Sequence, residues 1–137
     1  MVEQTTRYGI STTVALPLEQ AVAKTREELA KQGFGVLMEI DMQATLKAKT
    51  GEDVGPYLIL GACSPPHALR AVRGEPDIGL LLPCNVIVRA GEDGKTVVAA
   101  MDPEAALALA DNDAVAPVAR EVKERLRKVL EGVATAA

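Results

Sequence analysis

At 137 residues, 48% of them apolar, the chain is long enough to bury its own core without disulfide or metal staples. A formal net charge of −4, with positive and negative residues interleaved, argues against a nucleic acid partner. Tyr8, Phe34 and Tyr57 are the whole aromatic complement, so the core must be aliphatic and stacking platforms for bases or sugars are set aside.

No apolar run approaches the ~20 residues of a membrane span, and the first eight residues lack an apolar signal core. A cytoplasmic protein with no membrane partner is therefore expected. In that compartment the two cysteines are expected as free thiols. A bridge between Cys63 and Cys84 stays open on sequence alone.

Residues 8–16 carry Thr, Val and Ile and predict a first strand. Pro17 suits the first turn of a helix, where its missing N–H is not needed. Leu18, Ala21, Val22, Thr25 and Leu29 follow at helical spacing, and Gly33 closes the helix. Residues 34–41 alternate and predict a second strand. Asp41 is placed to cap a short helix reaching Ala48, ended by Gly51. Residues 57–62 form a continuous apolar run, which predicts a strand buried on both faces.

Pro65 and Pro66 open a short helix with Ala68, Leu69 and Val72 as its apolar side, and residues 74–77 turn. Residues 78–89 predict the longest strand, interrupted at Pro83, which cannot donate to a ladder. Glu92-Asp93-Gly94-Lys95 reads as a hairpin turn, and residues 96–101 as the returning strand. Asp102 caps a helix with Pro103 at its first position, reaching about residue 110. The last helix, over 114–130, carries an apolar stripe of Val115, Val118, Val122, Leu126, Val129 and Leu130, continued by Val133. Glu121–Arg125 and Glu124–Lys128 are spaced as i,i+4 ion pairs on its wet face. Together these elements predict an α+β domain over residues 1–133, with 134–137 as a frayed tail. Its architecture is two-layer: a mainly antiparallel sheet of about five strands, with two longer helices packed on one side.

Reactive side chains concentrate between Gly61 and Arg89, which holds both cysteines, the one histidine and four of the eight prolines. Cys63 falls where a strand ends and a helix begins. There the positive end of the helix dipole favours thiolate, so a lowered pKa and a nucleophilic role are expected. The plainer alternative is a small apolar residue under a tight turn. His67 follows one helical turn later, as base, metal ligand or plain surface residue. Glu75 or Asn85 would orient its imidazole only if the fold brings them near. Strand parity puts Cys84 on the most apolar face, unless a bulge at Pro83 turns Cys84 or Asn85 toward a pocket.

If Cys84 comes near Cys63, the pair becomes a dithiol with His67 alongside, which suits redox exchange or soft-metal capture. Arg70 and Arg73 are candidates for an anion, or else a wet helix face. Glu39 with Asp41, and Asp102 with Glu104, are acidic pairs that alternation and capping already explain. No phosphate-binding glycine motif occurs.

The segments G-A-C-S-P-P-H-A-L-R-A-V (61–72), I-G-L-L-L-P-C-N-V-I-V (78–88) and Q-A-T-L-K-A-K-T-G (43–51) resemble the hallmarks of the domain of unknown function family numbered 302. The likeness covers nearly the whole chain. Members show C-N-P where this chain has Cys63-Ser64-Pro65, so the amide is replaced by a hydroxyl. The resemblance implies a compact α+β domain that forms homodimers, and it names no activity or cofactor.

Three functions remain side by side. The first is a domain binding a small ligand or soft metal at Cys63, His67 and Cys84, with Ser64 and Asn85 as further ligand contacts. The second is a redox enzyme with Cys63 as nucleophile, His67 as acid or base and Cys84 as resolving thiol. The third is a structural homodimer module whose interface uses apolar residues of the 78–88 segment or the last helix.

Overall fold

Branched side chains at alternate positions build a pleated sheet, and the computed structural model describes residues 1–136 of it and its helices. The strands are β1 (Glu3–Thr6), β2 (Gly9–Val14), β3 (Gly35–Asp41), β4 (Tyr57–Cys63), β5 (Cys84–Ala90) and β6 (Thr96–Met101). The helices are α1 (Leu18–Lys31), α2 (Met42–Thr50), α3 (Pro65–Gly74), α4 (Pro103–Leu107) and α5 (Ala116–Ala134). The fold is α+β: one six-stranded sheet in the order β1-β2-β6-β5-β4-β3, with every pairing antiparallel. Among the described residues no helix is long and apolar enough to cross a membrane.

One face of the sheet is the core. Ile10 and Val14 of β2, Val86 and Val88 of β5, and Val98 and Ala100 of β6 are all buried there. The α5 stripe closes over them: Val118, Val122, Leu126, Val129, Leu130 and Val133 are buried along 19 residues of helix. α1 packs beside α5 and contributes Ala21, Thr25 and Leu29. Burying the stripe keeps it from serving as an exposed interface.

Local signals set the element ends. Asp41 Oδ1 accepts the Ala44 N–H at 2.9 Å to start α2, and Gly51, at φ +79°, ends it. Asp102 Oδ1 accepts the Glu104 N–H at 2.9 Å to start α4, while its Oδ2 takes an ion pair from Lys123 Nζ at 2.9 Å.

Several expectations are corrected. A sixth strand, β1, precedes the first one anticipated. Its four residues are all exposed, so no apolar alternation marks it; the register of β2 alone defines it. Residues 78–82 are not strand: Pro76–Leu81 is a 3₁₀ helix that buries Ile78 and leaves Leu80 87% exposed. The Leu82–Pro83 peptide is cis, and β5 starts only at Cys84. The buried residues of α3 are His67 and Ala71, while Leu69 and Val72 of the anticipated apolar side are exposed. The last helix continues to Ala134, so the anticipated tail begins within it; Ala137 lies outside the described residues.

β3 bulges between Val36 and Met38, which lets Met38 cross over Gly61 of β4. A Cβ on Gly61 would meet Met38 Cγ at 2.8 Å and Pro83 Cγ at 3.0 Å. The missing side chain is what lets β3 and the cis-proline segment close on β4. Gly61→Val is therefore expected to destabilise the fold by about 1–3 kcal/mol through overpacking. Leu126→Ala, at a wholly buried position, is expected to cost about 2–5 kcal/mol. Urea titration of both variants measures these losses.

Candidate functional site

The core stops short of one corner of the sheet, where β4 ends, α3 begins and the Leu82–Pro83 segment enters β5. A cavity of about 270 Å³ remains there. Phe34, Leu37, Ala62, Ala71, Leu82 and Val118 form much of its wall, and Cys63, Ser64, His67 and Cys84 also line it. The structure thus brings both thiols and the imidazole to one cavity. Cys84 stands opposite Ala62 across the β4–β5 pairing. It shares the buried parity of Val86 and Val88. Asn85 has the opposite parity and is exposed; it lines a separate groove of about 550 Å³ with Tyr57, Ile87 and Arg89. It is not part of the cavity, and no bulge at Pro83 turns it there.

Ser64 precedes α3 without capping it through its side chain. Its hydroxyl instead shares a 2.7 Å hydrogen bond with His67 Nδ1. Both residues are buried, at 6% and 7% exposure. The other ring nitrogen, Nε2, lies 3.5 Å from Glu121 Oε1 on α5. Arg70, three residues beyond His67 on α3, donates to both Glu121 oxygens at 3.1 and 3.0 Å. That guanidinium holds the Glu121 carboxyl below its ordinary range. A polar chain of Ser64, His67, Glu121 and Arg70 therefore runs from the cavity wall to solvent.

Glu121 was expected to pair with Arg125 along its own helix. It pairs instead across to α3, while Arg125 Nη1 donates to the Gln32 carbonyl at 3.0 Å. Glu75, offered as an orienting carboxylate, accepts from Asn112 Nδ2 at 2.8 Å. Arg70 is committed to Glu121 and is not a free anion site. Of the other acidic candidates, Glu39 pairs with Arg26 at 3.1 Å, and Asp41 and Asp102 are caps.

The expectation of an ionised Cys63 is overturned. Burial pushes the Cys63 thiol up. Burial, and secondarily the charge on Cys63, pushes Cys84 up to about 11. Burial is the cause, and the two prolines that open α3 do little to offset it. Neither carries an N–H, so two of the donors that make a helix start attractive to an anion are missing there. Desolvation then acts without compensation. Both cysteines are free. Among the described residues no group of three or more His, Cys, Asp or Glu side chains is placed to hold a metal. Cys63, His67 and Cys84 are thus not arranged as a ligand set.

A thiol of pKa about 11 is ionised at pH 7 in only on the order of one molecule in 10⁴. Native-state alkylation by iodoacetamide is therefore expected to be slower at both cysteines than in urea-unfolded chain. Its rate should climb as pH rises past 9, with Cys84 the slower of the two. Mass spectrometry of time points resolves the two sites. Fast labelling of Cys63 at pH 7 would contradict the raised pKa.

The comparisons agree with this architecture. The family described as Domain of unknown function DUF302 matches residues 10–133. Among solved structures, the chain is similar to that of an uncharacterized conserved protein DUF302 from Bacillus stearothermophilus. The two share 25% identity over 91% of this chain and 97% of that one, with a TM-score of 0.85. No curated protein matches. With the family match spanning nearly the whole sheet and both long helices, the chain belongs to the DUF302 family.

Proposed function

We propose that this domain binds a small, largely apolar molecule in the cavity beside Cys63, Ser64, His67 and Cys84. One observation carries the reading: an apolar cavity with a single buried hydrogen-bonded polar pair, Ser64–His67, set in its wall. Apolar walls supply affinity through desolvation, and a few placed polar groups supply orientation. The neutral thiols act here as soft wall groups that adapt to a ligand's shape. An engineered cavity of ~150 Å³ accepts benzene. A cavity of about 270 Å³ then suits a ligand of roughly ten non-hydrogen atoms. Raised thiol pKa values count against the nucleophile reading.

Indole is a suitable probe. At typical efficiencies for so small a ligand, a Kd on the order of 0.1–1 mM is expected. Amide shifts in a ¹H–¹⁵N titration should concentrate at residues 62–71 and 82–84. Ala68 lines the cavity, so Ala68→Leu should weaken binding at least about tenfold while leaving the circular dichroism spectrum unchanged. Absence of any shift at millimolar indole would overturn the reading. Shifts confined to the groove around Arg89 would also overturn it.

A further inference from the structure

The polar chain in the cavity wall has a direction. Glu121 is ionised and sits at His67 Nε2. A neutral imidazole carries one proton, and a carboxylate at one nitrogen draws it there. With the proton on Nε2, Nδ1 would be a lone pair able to accept the serine proton across the 2.7 Å contact to Ser64 Oγ, a contact in which either atom could donate. The Ser64 hydroxyl has a single proton to give. Spent on His67, it leaves only oxygen lone pairs for anything in the cavity. The two thiols are neutral and weak donors.

We infer that the cavity selects ligands bearing an O–H or N–H donor on an apolar body and discriminates against isosteres that only accept. The selecting atom is Ser64 Oγ. His67, Glu121 and Arg70 act as positioning residues that fix which way its proton points. This rests on the cavity being a binding site, as proposed above, and adds the chemical class of the ligand.

The test pairs indole, an N–H donor, with benzofuran, which has the same outline and no donor, at pH 8. Indole is expected to bind about two- to tenfold tighter, the span of one net hydrogen bond. Ser64→Ala should level the two. In a ¹⁵N-histidine spectrum of the ligand-free protein at the same pH, His67 should show its proton on Nε2. That tautomer should be lost in Glu121→Gln with Arg70 retained. Equal binding of the two probes by the parent chain would overturn the donor selection while leaving the cavity as a site. So would an Nδ1–H tautomer. Binding of neither probe would overturn both readings.

Discussion

A core with one phenylalanine and no tryptophan has to gain its cohesion from close fitting of small branched side chains. Everything else in this fold follows from that constraint. Val, Ile and Ala from β2, β5 and β6 meet the stripe of α5, and nearly all reach near-zero exposure. Such side chains fill space well where a flat helix face lies on a regular sheet. They fill it poorly at corners, where the chain turns from strand to helix and no large ring is at hand. The cavity beside α3 lies at such a corner, with Phe34 as its one aromatic wall residue. Pocket and core are two outcomes of the same composition.

The prolines at the start of α3 shape the chemistry of that corner by subtraction. A helix start ordinarily supplies unpaired N–H groups, and with them a preference for negative charge. Pro65 and Pro66 remove two such donors beside Cys63. The corner is left with uncharged sulfur, hydrocarbon and one internally satisfied serine–histidine pair. Its character is that of a receptacle, and ionisation is kept to the outer rim, where Glu121 and Arg70 meet water.

Much of the fold was legible because the sequence repeats its intent locally. The α5 stripe, the Asp41 and Asp102 caps and the β5–β6 hairpin each rest on signals within a few residues. The candidate site was half legible: Cys63, His67 and Cys84 stood out by type, and the structure gathers them. What escaped reading was non-local or unpatterned. β1 has no apolar alternation, and only pairing with β2 reveals it. Residues 78–82 look like strand because their run is apolar, yet a 3₁₀ turn exposes Leu80. Glu121 had a plausible partner four residues away, while its actual partner, Arg70, is 51 residues distant in sequence. The ionisation of Cys63 was misjudged for a different reason: the dipole of a helix start was counted and its missing donors were not.

The Arg70–Glu121 clamp sits half in water, where an ion pair contributes little to folding. Its weight is felt elsewhere, because the same carboxylate faces the buried ring of His67. Dissolved ions compete with such a pair within a distance of about 8–10 Å at ordinary ionic strength. A wetted guanidinium thereby lets the surrounding electrolyte reach, by way of one imidazole, the orientation of a hydroxyl that bulk solvent barely touches.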